Sequence, residues 1–366
     1  MFHTNCFSLR PNSGNRAGIT IGWVLLVSMS VIFVLAAIRM VDIVMEHRKE
    51  GVRGDGENIE TYGFDLSNLL VPKDEVIAGG MAKNSLLALS DPEKWTPAEV
   101  DQYNEDVRGK YLVSSDKVAG VEINGETCAY PLRVLIWHEV INDTLGGVPI
   151  AVTYNYLCDS VVVFDRRVGE EVLEFGFSGL LYKSNSLFYD ERPEDEEESL
   201  WSQMGARAVA GPAAEQEQTL EVIPSQRVTW AFWKGIQPET KVIEPDLDMM
   251  KQYQSNPGGG YFGSDLLLYP VEPLPPEDSS PARKDPVLVL QHEGQTKVFP
   301  VQQIIDQADE EGNWEGTFAG EAMTLRAIED PACIYIEGLQ PEWKVYHSLW
   351  FAWYAFHPQA TIASLQ

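Results

Sequence analysis

Positive charge is scarce in this chain. Against 55 aspartates and glutamates there are 27 lysines and arginines in 366 residues, a formal net charge of −28. Nucleic acid is thereby excluded as a partner, because binding phosphates needs a basic face. The same imbalance speaks against adhesion to an anionic membrane surface. Cysteine is scarce as well. Cys6, Cys128, Cys158 and Cys333 have no framework spacing, and three of them follow the N-terminal segment. Three buried thiols are the expectation, with a Cys128–Cys158 disulfide as the alternative. No Cys-x-x-Cys and no pair of histidines four apart occurs, so a strong zinc signature is missing and no metal site is assigned. Gly176-Phe-Ser-Gly179 lacks the spacing of a nucleophile elbow. Gly258-Gly-Gly260 lacks the Gly-Lys-Ser/Thr ending of a phosphate loop. No motif names a cofactor.

What the chain does have is 44% apolar residues, enough to bury one or two cores. Ile19 to Ile38 is an uncharged apolar run, the length of a bilayer-spanning helix. The expectation is therefore an uncleaved signal-anchor at 18–40, with the lipid bilayer as partner. A single-pass protein follows, placed in the cell membrane with its main domain extracytoplasmic. Cleavage near Leu35-Ala-Ala37 is the alternative.

The chain also repeats itself. Residues 123–136 align with 292–305, and Trp230-Ala-Phe-Trp with Trp350-Phe-Ala-Trp. Between these landmarks copy one carries an insert over about residues 170–225, rich in Gly, Ser, Tyr, Trp and acids. Asn124-Gly125 reads as a hairpin turn, and Pro131 opens a helix reaching about Ile141. Strands are expected over Val148–Tyr154, Ser160–Asp165 and Val172–Phe177, and Thr229 as the cap of a helix from Trp230. The fold class is α+β: two related repeats of short, mostly antiparallel strands with a few helices, after the N-terminal transmembrane helix. The organisation is an N-terminal tail (1–17), anchor (18–40), stalk (41–65), leader and first repeat with insert (66–243), linker (244–285) and second repeat (286–366).

Comparing the copies points to a site. Their helices share one apolar face, Leu132, Leu135 and Ile136 against Val301, Ile304 and Ile305. Val134, Trp137, His138 and Ile141 form a second face that copy two replaces with Gln303, Asp306, Gln307 and Glu310. Something covers that extra face, and the insert is the expected cover. His138 and Cys158 are the catalytic candidates, as a base and a thiol nucleophile. The alternatives are a core histidine beside a buried thiol, or a metal site completed by Asp159. Ser178, Tyr182, Asn185, Tyr189, Asp190, Trp201 and Gln203 combine aromatic walls with amide and hydroxyl groups. That combination suits a small polar ligand, or a buried polar network. The acidic run Glu194-Asp-Glu-Glu-Glu198 reads as a solvated loop.

Several of these segments, in this order, resemble the uncharacterised family DUF3179. They include Gly120-Val-Glu-Ile-Asn-Gly-Glu-Thr-Cys-Ala-Tyr-Pro131, His138-Glu-Val-Ile-Asn-Asp143, Phe175-Gly-Phe-Ser-Gly-Leu-Leu-Tyr182 and Leu200-Trp-Ser-Gln203. The resemblance covers about 70–365 and implies an exported or membrane-anchored bacterial protein, with no activity attached. Where the family pattern has Tyr-Cys-Pro-Leu, this chain has Tyr154-Asn-Tyr-Leu157, so a role needing that first cysteine is in doubt. The expected function is a membrane-anchored protein binding a small polar ligand or partner in a pocket of the first repeat. The alternatives are a thiol- or metal-dependent enzyme using Cys158 and His138, and a structural cell-envelope module.

Overall fold

The computed structural model describes residues 53–363, apart from 195 and 256. Copy one runs β1 (Lys117–Ile123), β2 (Glu126–Pro131), α1 (Leu132–His138), β3 (Val140–Leu145), β4 (Val148–Asn155) and β5 (Ser160–Asp165). The insert adds β6 (Phe175–Tyr182), β7 (Asn185–Asp190), β8 (Leu200–Ser202) and β9 (Arg207–Ala210). Copy one closes with β10 (Gln226–Thr229) and α2 (Trp230–Ile236). Copy two repeats the plan without an insert. It runs β11 (Pro286–His292), β12 (Gln295–Pro300), α3 (Val301–Gln307), β13 (Asn313–Phe318), β14 (Glu321–Ile328), β15 (Cys333–Glu337), β16 (Lys344–Leu349) and α4 (Trp350–Phe356).

Local chemistry sets these elements. Asn124 and Gly125, at φ 51° and 81°, make the two-residue turn between β1 and β2, and Glu293 and Gly294 repeat it at φ 48° and 77°. Left-handed values at both positions match the right-handed twist of the flanking strands. The Thr229 hydroxyl caps α2 by accepting from the Phe232 N–H. In β5 all six residues are buried, Val161 and Val163 on one side and Val162 and Phe164 on the other. Period-two alternation between two covered faces explains so continuous an apolar run.

The two copies are interlocked. One eight-stranded sheet has the order β12-β11-β16-β5-β4-β3, closed by Leu89–Ser90, with Val222–Ile223 also pairing β5. The other has β13-β14-β15-β10-β1-β2, then Lys241–Ile243 and Lys94–Trp95. Each sheet therefore joins the hairpin and closing strand of one copy to the three-strand meander of the other. The seams correspond: His347 on β16 lies opposite Val161 on β5, and Arg227 on β10 opposite Ile334 on β15. The two sheets face each other across Val118, Val121, Val152, Val161 and Val228 in one half of the sandwich. Leu288, Leu290, Leu325, Ile334 and Ile336 fill the other half. The insert forms a third sheet, ordered Val76–Ala78, β6, β7, β8, β9. Its Phe175, Phe188 and Trp201 cover the back of the first sheet at Ala151, Val162 and Phe164.

The α+β class read from the sequence is what these residues form. Its membrane part is corrected. No helix among the described residues is long and apolar enough to cross a membrane. Pro97–Asp106, with ten residues, spans only about 15 Å, half of a hydrocarbon core. The anticipated span at 18–40 lies outside the described residues. The signal-anchor, the cell-membrane and extracytoplasmic placement and the bilayer as partner all rested on it, and they are withdrawn.

Helix α1 is also shorter than its apolar pattern suggests. It ends at His138 because Glu139 turns to φ 57°, ψ −30°, and Ile141 then belongs to β3. The second face of α1 is covered by the leader and the linker rather than by the insert. His138 takes the Leu87 carbonyl at 2.6 Å on Nδ1 and the Tyr253 hydroxyl at 2.7 Å on Nε2.

Candidate functional site

The insert residues singled out from the sequence are mostly buried, and several bond to one another. Gln203 is the hub: its Nε2 donates to Thr153 Oγ1 at 2.9 Å, and its Oε1 accepts from Ser160 Oγ at 2.6 Å and Asn185 Nδ2 at 2.8 Å. Thr153 and Ser160 lie on β4 and β5, so this network pins the insert sheet to the first sheet. Ser178 donates to the Leu187 carbonyl across a β-bulge. Asp190 accepts the Ser199 N–H at 2.5 Å and Arg192 Nε at 2.9 Å. Tyr189 donates to Asn84 at 2.9 Å, Trp201 packs edge-on against Phe175, and Tyr182 edge-on against Phe356. Most of its polar groups satisfy each other, the buried Trp201 Nε1 having no partner, and the insert is a packed layer. The small-ligand pocket expected in the first repeat is set aside on that ground. A surface cavity of about 410 Å³, lined by Thr296, Lys297, Phe318 and Ile362, shares no residue with it.

The thiol- and metal-enzyme reading is corrected too. The Cys158 thiol donates to the Ser184 carbonyl at 3.2 Å, and burial pushes its pKa up, away from the thiolate. Burial lowers the pKa of His138, and both of its nitrogens are engaged elsewhere. The two side chains share no hydrogen bond. Cys128, Cys158 and Cys333 are free thiols, and the described residues contain no cluster of three metal-ligating side chains. The cell-envelope module falls with the membrane span.

A different constellation surrounds the turn between β4 and β5. On one side stands Glu139, buried, its backbone left-handed and its carboxylate accepting from Ser186 Oγ at 2.6 Å. A positive φ at a non-glycine residue costs on the order of 1–3 kcal/mol. Desolvation raises the Glu139 carboxyl to about 7, against the pull of the Ser186 hydrogen bond. Asn155 links this side to the turn, donating to Ser186 Oγ at 2.6 Å and accepting the Cys158 N–H at 3.0 Å. Asn155 thus holds the turn through its amide.

On the other side stands Asp159, also left-handed at φ 45°. It accepts from Tyr154 OH at 3.0 Å and pairs with Arg227, which reaches across from β10 in the opposite sheet. Lys117, half-buried at the start of β1, pairs in register with Thr229 on the same strand as Arg227. Burial and then the nearby Arg227 pull the Lys117 pKa down to about 8, with Asp159 and Cys333 acting in the opposite sense. His347, on the partner strand of β5, is buried and donates from Nε2 to the Ser225 carbonyl at 3.1 Å. Burial and Arg227 lower its pKa to about 3, so it is neutral. Two buried polar atoms here, Arg227 Nε and Ser225 Oγ, have no hydrogen-bond partner.

The duplication supplies an internal control. Matching the seam registers sets Tyr154 against Ala327 and Asp159 against Ala332. The helix ends set Glu139 against Ala308, which has an ordinary φ of −64°. The closing strands set Arg227 against His347, and the hairpins set Lys117 against Pro286. Copy one carries ionisable groups and two strained backbones where copy two has three alanines and a proline. Sequence reasoning missed Glu139, Lys117 and Arg227 by comparing the copies only along the helix. Extending that alignment to 139/308, 117/286 and 227/347 would have found them.

Neither a curated protein nor a solved structure shows a significant match to the chain. A family profile does match, over residues 96–337, which takes in Lys117, Glu139, Asp159, Arg227 and Cys333. The chain belongs to the DUF3179 family, described as proteins of unknown function.

Proposed function

We propose that the seam between the interlocked copies is a binding site for a small carboxylate-bearing molecule, with Lys117 as its principal recognition group. The observation that carries this reading is a charge imbalance. Lys117 and Arg227 are set into the fold opposite one carboxylate, Asp159, which Arg227 already occupies. Lys117 makes no hydrogen bond or ion pair with any described residue. Half-burying a cation that shares its one nearby carboxylate with Arg227 is unfavourable, and an anion arriving beside it offsets part of that cost. Partnerless buried atoms on Arg227 and Ser225 mark the same place as polar and incompletely satisfied. The neutral state of His347 keeps it from adding a third positive charge, and Cys333, its thiol raised by burial, adds no negative one.

The interlock then has a functional reading. Lys117, Asp159 and Arg227 come from copy one, and His347 and Cys333 from copy two, so the site needs both. Calorimetric titration of the full-length chain with acetate, propionate and inorganic phosphate tests this. Saturable binding of a carboxylate by the parent protein and its loss in Lys117→Met support the reading. Equal heats for the two proteins would sink it.

A further inference from the structure

We infer that the cavity of about 410 Å³ in copy two docks an extended acidic peptide segment of a partner protein. The segment adds as a strand and presents a carboxylate to Lys297. The inference is independent of the carboxylate site at the seam.

Copy one shows what belongs in this place. The hairpin registers set Thr144 and Leu145 against Thr317 and Phe318. Each pair leads into a two-residue left-handed turn, Gly146-Gly147 in copy one and Ala319-Gly320 in copy two. Val242 pairs parallel with Ala129 on β2, and at the matching positions Ile362 bridges Val298 on β12, also parallel. The cavity lies among Thr296, Lys297, Thr317, Phe318 and Ile362. Its counterpart in copy one is therefore bounded by Thr127, Cys128, Thr144, Leu145 and Val242. There a further strand closes the edge, Lys94–Trp95 of the leader pairing antiparallel with Ile243 and Val242. From that strand the Lys94 ammonium reaches in to Asp143 Oδ1 at 2.7 Å and the Thr144 carbonyl at 3.3 Å. Copy two has no such strand among the described residues: its sheet ends at β12, to which Ile362 is attached by one bridge. An open edge beside a cavity is what an added strand pairs with.

The charges are exchanged between the copies. Gly316 stands where copy one has Asp143. The ammonium at the Thr317 carbonyl, 3.0 Å away, belongs to Lys297 of β12 itself. Among the described residues that line the cavity, Lys297 alone is charged. In copy one the added strand brings a cation to a carboxylate. In copy two a side chain reaching in from an added strand, as Lys94 does, ends beside the Lys297 ammonium. A carboxylate there gains a charge-assisted hydrogen bond, whereas a lysine meets a like charge.

The leader strand itself supplies the probe. Two labelled hexapeptides, Pro92–Pro97 with Lys94→Glu and the same segment unaltered, are titrated with the full-length chain and followed by fluorescence anisotropy. The Lys94→Glu peptide should bind saturably, and at least about tenfold more tightly than the unaltered one. Methylating its Trp95 peptide nitrogen should abolish binding by removing a strand hydrogen bond. The Lys297→Glu variant should reverse the order of affinity, and the comparison on the parent protein stands whether or not that variant folds. Equal affinities, no binding of either peptide, or an order unchanged in Lys297→Glu would overturn the inference. Binding that appears only when residues 364–366 are removed assigns the edge to the chain's own C-terminus, and a dimer that depends on Lys297 assigns it to a second copy. Either of those outcomes overturns it as well.

Discussion

Replacing Glu139 by glutamine removes a carboxyl that the fold holds in its neutral form. The amide oxygen can accept from Ser186 Oγ as the carboxyl does, so the variant mimics the protonated acid and cannot ionise. In the parent, burial lifts the group from its ordinary 4.5 to about 7. At about 1.36 kcal/mol per pH unit, ionising it inside the fold costs about 3 kcal/mol. The sign follows from the direction of the shift. Between 4.5 and about 7 the folded chain keeps a proton that the unfolded chain has released, so stability falls as pH rises. The loss is absent below the lower value and complete above the upper one. Urea unfolding of both proteins, taken from about pH 4 to about pH 8.5, reads the difference directly, because the other carboxylates cancel in the comparison. The two should unfold alike at the acid end, and Glu139→Gln should be the more stable by about 3 kcal/mol at the alkaline end. A difference that does not change with pH would refute the assignment of Glu139 as a buried neutral acid.

Gln203→Leu strips a buried hub from Thr153, Ser160 and Asn185, and should cost about 2–4 kcal/mol in urea unfolding. A loss below about 0.5 kcal/mol would mean that the network is not what fastens the insert. A chain ending at residue 285 lacks β15 and β16, the strands that continue both sheets across the seams. It should show no cooperative thermal transition by circular dichroism, and regain one when residues 286–366 are supplied as a separate chain. A sharp transition for the truncated chain alone would contradict the interlock.

Most individual elements were legible in the sequence. Asn124-Gly125, the Thr229 cap and the apolar runs of β4 and β5 carry their structure in local chemistry. The exchange of meanders between copies was not, because an alternating strand shows which face it buries and not which strand it pairs with. The early end of α1 was also hidden. Glu139 adopts a left-handed backbone with neither glycine nor asparagine to announce it; Ser186, Leu135, to which its N–H donates, and Tyr154, whose N–H its carbonyl accepts, hold it there. The insert residues were found because amides and aromatics stand out. Their role was not legible, because the same residue types serve a ligand pocket and a packed polar layer alike. Nothing in the sequence sets Lys117 apart, since its lack of a partner is a property of three dimensions.

The most direct test of the seam as a carboxylate site is the thermal stabilisation of the full-length chain by acetate at fixed ionic strength, measured either side of the Lys117 pKa of about 8. A ligand bound to the folded state raises the melting temperature in proportion to its occupancy. Acetate should stabilise the protein at about pH 6, where Lys117 is charged, lose most of that effect at about pH 10, and have none on Lys117→Met. Stabilisation by acetate that is equal at both pH values, or unchanged in Lys117→Met, would contradict the account.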